Sequence, residues 1–312
     1  MPDLILHHYP LSPFSEKIRA MLGYTGIPWQ SVVTSEMPPR PLLEPLVGGY
    51  RRIPVAQIGA DVFCDTRTIT TEIAALANMP ELAIENCNSA VSDFVVDIER
   101  NAFFACVLGG GSWALVRRVW RSMSMLDIGR FFVDRIRMGS TIKIPVVKPT
   151  QAAGVVKDYL GRVESMLQAD FLFGDKPNIA DFAAYHCFWF VRDLSEKDIE
   201  KAFPKTDAWM DRMKAYGDGN PEEITAEEAL NIAKLEQPRA LVERDAREHA
   251  LEPLIGKTVL LAPSDYATVP TEGVVVGGAA HSWIISRTHS WVGEVHVHFP
   301  KHAYELTEVV GE

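Results

Sequence analysis

The chain has 312 residues, of which 47% are hydrophobic and 23% charged, a composition that excludes fibrous, collagen-like and wholly disordered classes. A chain of this length suits two or three domains and can bury enough surface to fold without staples. Thirty-one Lys and Arg against 41 Asp and Glu give a net charge of -10, which argues against a nucleic-acid partner, whose affinity rests on cationic contacts.

The first 80 residues alternate between strand and helix signals. Leu4 to His8 is a short apolar strand, and Ser12-Pro13 starts a helix with a hydroxyl at the N-cap and a proline where no amide donor is needed. Phe14, Ile18, Met21 and Leu22 fall at helical spacing, and Gly26 and Pro28 end the run. Gln30 to Thr34 reads as a second strand, followed by an irregular proline-rich connection. Val55 to Ile58 and Asp61 to Cys64 flank Gly59-Ala60 as a hairpin, and Thr66 to Ala77 reads as a helix.

Helical periodicity then takes over to about Gln237. Val155, Val156, Tyr159, Val163, Met166 and Leu167 form one face behind a candidate cap at Thr150. Asn178-Ile179-Ala180-Asp181 is a capping-box variant, and the apolar run Phe182 to Val191 after it predicts a helix through the domain centre. Thr225-Ala226-Glu227-Glu228 is a full capping box. Beyond the charged stretch 239–252, β-type runs at Thr258 to Leu261, Gly273 to Val276, Ser282 to Ile285 and Gly293 to Phe299 predict a small all-β appendix. The boundaries expected are 1–80, 81–237, and 238–312, the last a linker helix and a small β-barrel-like domain.

Cys64, Cys87, Cys106 and Cys187 form no CxxC pair and suggest no disulfide framework. No leader-like start and no run of about 18 apolar residues is present, so a soluble, cytoplasmic protein without a membrane partner is expected. His296 and His298 share one strand face with Glu294 while Val295, Val297 and Phe299 share the other. Strand spacing supplies two ligands where zinc needs about four, so a solvated histidine face is expected and no metal.

Three motifs, Tyr9-Pro10-Leu11-Ser12-Pro13-Phe14-Ser15, Arg52-Ile53-Pro54-Val55 and Cys64-Asp65-Thr66-Arg67-Thr68-Ile69, occur in an order and spacing that resembles the glutathione S-transferase family. The resemblance covers roughly residues 1 to 235 and implies an α+β chain: a thioredoxin-like N-terminal domain, an all-α helical bundle, and here an additional small all-β C-terminal domain. It implies glutathione as co-substrate, a small electrophile as the second partner, and a homodimer. Ser12 would donate its hydroxyl to the glutathione sulfur at a helix N-terminus, a place that favours a thiolate. Tyr9 and Ser15 stay open as alternatives for that contact, and Ser12 could equally be a plain cap.

Ile53-Pro54 resembles the family's cis-proline turn, with the Ile53 backbone toward the cysteinyl part of glutathione. Asp65-Thr66 resembles the pair that holds the γ-glutamyl end, the hydroxyl and nearby amides taking the carboxylate and Asp65 the ammonium. The Arg51-Arg52 doublet is not part of the general pattern. Tyr9, Phe104, Trp113 and Arg117, with Phe103 and Trp120, are candidates for an electrophile pocket, against the alternative that aromatics at helical spacing are core. The function implied is thiolate stabilisation for attack on a small electrophile. A non-catalytic scaffold of the same fold, and a glutathione-dependent isomerase or lyase, are the alternatives.

Overall fold

The computed structural model describes residues 3–122, 125–140, 147–241 and 253–309. The first unit runs β1 (Leu4–His8), α1 (Pro13–Thr25), β2 (Trp29–Val33), α2 (Glu44–Val47), β3 (Val55–Ile58), β4 (Asp61–Cys64) and α3 (Thr66–Ala77). β1 pairs parallel with β2 and antiparallel with β3, which forms the hairpin with β4. Ser12 caps α1 by accepting a hydrogen bond from Ser15 N, and Gly26 closes it in a left-handed conformation at φ 66°.

The helical domain follows with α4 (Ser89–Asp97), which passes through a π-helical turn at Ile98–Ala102 into α5 (Phe103–Gly109). α6 (Trp113–Ser122), α7 (Met125–Ser140), α8 (Pro149–Met166), α9 (Ile179–Trp189) and α10 (Pro204–Ala215) complete it. α8 begins at Pro149 with Lys148 at its N-cap, so the cap expected at Thr150 is corrected by two residues; the proline already fixes the first helical φ. α9 is buried along almost its whole length, and the Asn178/Asp181 capping box is formed in both directions. Asp181 also accepts from Leu172 N and Trp209 Nε1, tying α9 to α10. No single described helix is long and apolar enough to cross a membrane; Ser89–Gly109 and Trp113–Arg121 pass that test only as a pair bent by 88°.

The chain then returns to the first unit. β5 (Pro221–Glu223) adds parallel to β2, and α11 (Ala226–Leu235) lies against it. β6 (Thr258–Pro263), β7 (Thr271–Ala279), β8 (Ser282–His289), β9 (Gly293–Pro300) and β10 (Tyr304–Glu308) supply the expected strand-rich region. These strands do not close on one another. β9 pairs parallel with β4, placing Asp61 opposite His296 and Phe63 opposite His298, so a single ten-stranded sheet runs β10-β6-β7-β8-β9-β4-β3-β1-β2-β5. The C-terminal strands extend the first domain's sheet instead of standing apart as a barrel. The linker helix expected over 239–252 falls almost wholly outside the described residues.

Period-two alternation explains the joint. Val62 and Cys64 of β4 face the same core as Val295, Val297 and Phe299 of β9, while Phe63 faces the helical side. The histidine face is therefore only partly solvated, with Glu294 exposed and His296 and His298 half-buried, which narrows the expectation. His298 stacks on Phe63 at 4.5 Å and its Nε2 meets Asp61 Oδ1 at 2.8 Å. Burial alone would raise the Asp61 carboxyl, but hydrogen bonds from His298 and from the Arg239 amide hold it below its usual range.

Three other histidines are buried and neutral. His7, His8 and His186 are each pushed down to about 4, first by desolvation. A histidine whose folded pKa lies below its unfolded value of about 6.5 favours folding above that value and loses the contribution as pH falls toward 4. The urea midpoint is therefore expected to drop steadily between pH 6.5 and 4.5; a midpoint independent of pH across that window would contradict the burial of these rings.

Candidate functional site

α1 and α3 both begin at the carboxyl end of a strand, so their N-termini open on the same side of the sheet. The first turn of α1 leaves one amide without a partner. Ser15 N is taken by Ser12 Oγ at 3.1 Å and Glu16 N by Ser12 O at 2.9 Å, while the Phe14 N–H has no hydrogen bond among the described residues. At α3, Asp65 adopts φ 79° and caps the helix by accepting from Arg67 N at 3.0 Å. The Thr66 hydroxyl makes no hydrogen bond among the described residues, and Thr66 is only 9% exposed.

These two helix ends share a cavity of about 320 Å³, within the size range of small-molecule sites. Its first wall is Phe14, Lys17, Arg52, Ile53, Pro54, Asp65 and Thr66 from the thioredoxin-like domain. The Ile53–Pro54 bond is cis, and no partner takes the Ile53 backbone N–H or C=O among the described residues. The second wall comes from the helical domain: Val95, Val96, Glu99, Arg100, Phe103 and Phe104. Glu99 and Arg100 sit in the π-helical turn, where one extra residue per turn swings charged side chains onto an otherwise apolar face. Glu99 meets the buried Lys17 Nζ at 2.6 Å; burial would raise this carboxyl, and the Lys17 charge pulls it below its usual range.

The C-terminal strands supply a third wall, Ser264, Asp265, Tyr266, His302 and Ala303. Arg52 joins the walls. Its guanidinium reaches Asp65 Oδ2 at 3.5 Å, binds Asp265 and the Tyr266 carbonyl, and lies 3.9 Å from the Tyr266 ring centre. Tyr304 of β10 donates its hydroxyl to Asp65 Oδ2 at 3.1 Å.

Of the residues singled out in the sequence, Ile53, Pro54, Asp65, Thr66 and Phe104 line this cavity. Ser12 lies behind its wall, 2% exposed, with its hydroxyl proton unassigned to any acceptor. Ser15 is fully buried, its hydroxyl without a partner. Tyr9 packs beside the C-terminal core cluster. Trp113 and Arg117 are not at the cavity, which corrects their assignment: the chain turns after α5, leaving Trp113 87% exposed and Arg117 paired with Glu196. Lys17, Glu99, Arg100, Asp265 and Tyr266 went unnoticed in the sequence, and His302 was seen only as one of the C-terminal histidines. Only the Arg51-Arg52 doublet had signalled anything. Among the described residues no group of three or more His, Cys, Asp or Glu is placed to hold a metal.

Residues 6–81 match the model of the glutathione S-transferase N-terminal domain, and residues 145–212 that of the glutathione S-transferase C-terminal domain. The chain carries both domains of the glutathione S-transferase family. A GST-like protein from Pseudomonas syringae superposes with a TM-score of 0.75 at 28% identity, covering 99% of this chain and 100% of that one. Its coverage takes in the C-terminal strands as well. A glutathione S-transferase from Sinorhizobium meliloti 1021 matches over 70% of this chain and 90% of its own, at 15% identity and a TM-score of 0.49. A glutathione transferase homologue from sulfitobacter, with bound glutathione, matches over 70% of this chain and 96% of its own, at 18% identity and a TM-score of 0.46. No curated protein matches the chain.

Proposed function

We propose that the protein binds glutathione in the three-walled cavity and presents its thiolate to a small electrophile. The observation that carries this reading is that two helix N-termini, each with an unpartnered donor, open on one cavity of suitable size. The Thr66 end of α3 suits the γ-glutamyl carboxylate, and the Phe14 end of α1, with the Ser12 hydroxyl, suits a sulfur anion. The unpaired Ile53 backbone lies between them for the cysteinyl amide. The apolar second wall, with Phe103 and Phe104, would hold the electrophile.

A second reading draws on Asp65, which the resemblance assigns to the ligand ammonium but which already pairs with Arg52 and Tyr304. A protein so occupied could be a non-catalytic member of the fold. Calorimetric titration with glutathione and conjugation of 1-chloro-2,4-dinitrobenzene separate the two. Heat of binding with turnover is expected. Binding without turnover would favour the scaffold, and no heat at millimolar glutathione would remove the ligand altogether.

A further inference from the structure

The C-terminal strands reach the N-terminus of α3 through a single hydroxyl. Tyr304 opens β10, the outermost strand on its side of the sheet, and pairs there with Pro263 of β6. The turn before it is tight. Ala303 takes φ 59°, a left-handed conformation that is costly for a residue with a side chain, and its carbonyl accepts from Ser264 N at 2.9 Å. Beyond this bend Tyr304 is only 8% exposed, its ring against Phe299 at 5.6 Å. Its hydroxyl ends 3.1 Å from Asp65 Oδ2 and 3.4 Å from the Tyr50 hydroxyl.

A carboxylate offers about four lone-pair sites. Among the described residues Asp65 Oδ1 accepts from Arg67 N at 3.0 Å, and Oδ2 accepts from Tyr304 and, at 3.5 Å, from Arg52 Nη1. About one site, on Oδ1, is left at a residue that lines the cavity. Arg52 spends its other terminal nitrogen on Asp265 and the Tyr266 carbonyl, and its contact with Asp65 is the longest of the three. The charge on Asp65 is therefore only partly answered. A neutral phenol differs from a second cation here, because it fixes the rotation of the carboxylate without cancelling its charge.

We propose that Tyr304 is a positioning residue that fixes the Asp65 carboxylate as acceptor for an α-ammonium, so that the C-terminal strands set the site's selectivity for a γ-glutamyl group with a free amine. The inference rests on the glutathione reading above. Burial first, and the Asp65 charge second, push the Tyr304 phenol well above its usual range, so the hydroxyl keeps its proton and donates at neutral pH. Without that donor the carboxylate is free to turn toward Arg52, its remaining charged partner, and the ammonium meets an acceptor already paired.

The test uses the full chain and two ligands that differ only in the amine: glutathione, and glutaryl-cysteinyl-glycine, in which hydrogen replaces the ammonium. Calorimetric titration of the native protein should show glutathione bound roughly 10–100-fold more tightly, the range of a charge-assisted pair. Tyr304→Phe keeps the ring on Phe299 and removes only the hydroxyl. The preference should shrink roughly fivefold or more, with the affinity for the analogue unchanged. A role confined to holding β10 would weaken both ligands alike and leave the preference intact, which would overturn the assignment. Asp65→Asn keeps the α3 cap, removes the charge and tests the claim without touching Tyr304. It should abolish the preference; an undiminished one would leave Tyr304 nothing to position and would overturn the proposal. Heat of binding with an unchanged preference in Tyr304→Phe sinks only the role of Tyr304, whereas no heat with glutathione in the native protein sinks the glutathione reading and this inference with it.

Discussion

Arg52→Ala is expected to weaken glutathione binding roughly 30–100-fold, because truncating one partner of a buried charge cluster leaves the others uncompensated. The side chain is 11% exposed and is the common counter-ion of Asp65 and Asp265. Without it, two carboxylates face the same cavity. Glutathione carries two carboxylates and one ammonium, a net negative charge that grows when the thiol ionises. An acidic cavity would repel it. The variant also frees the β6–β7 segment, which Arg52 holds through the Tyr266 carbonyl and ring, so a lower Tm should accompany the weaker binding. Arg52→Lys restores the charge but not the fork that spans three acceptors, and should recover only part of the affinity. Isothermal titration of the three proteins checks this. An unchanged Kd in the alanine variant would mean that the third wall is structural and does not shape the ligand site.

The local punctuation of this chain was legible because it is chemical. Ser12-Pro13, Gly26, Asn178 to Asp181 and Thr225 to Glu228 act within one turn of themselves, and each ends or begins a helix where expected. The hairpin around Gly59-Ala60 and the helix Thr66–Ala77 follow from the same short-range rules. What could not be read was which surfaces meet across long stretches of chain. β9 reads as an ordinary half-buried strand, and nothing in its alternation says that its partner is β4, more than 200 residues earlier. Because that pairing was hidden, so was the third wall, and with it Asp265, Tyr266 and His302. The Arg51-Arg52 doublet stood out from the family pattern, but its partners lie on the C-terminal segment, so its purpose stayed invisible. Trp113 and Arg117 failed for a different reason: they were candidates as aromatic and polar residue types, and type alone does not say that the turn after α5 carries α6 away from the cavity.

Ser12→Ala is expected to lower kcat roughly 100-fold, the usual cost of removing one preorganised donor from a developing or resident anion, while leaving glutathione affinity close to the native value. A free thiol with a pKa of about 8.5 is mostly protonated at neutral pH, so the site must stabilise sulfur charge to work. The Ser12 oxygen is already an acceptor for Ser15 N, which orients its lone pairs into the helix and leaves its proton to point elsewhere. Next to it the Phe14 amide is the unpartnered donor of the first turn. Both belong to the positive end of a 13-residue helix, and for Ser12, which lies behind the cavity wall, the expected role requires its hydroxyl to reach the sulfur past Phe14. The alanine variant also loses a cap, at about 1 kcal/mol of stability, so Ser12→Thr, which keeps both cap and donor, is the control that separates folding from chemistry. The decisive readout is the pH profile: with the hydroxyl gone, the apparent pKa of bound glutathione should move up toward that of the free thiol. A rate and profile unchanged in Ser12→Ala would pass the role to the Phe14 amide alone or to Ser15, whose buried hydroxyl has no other partner.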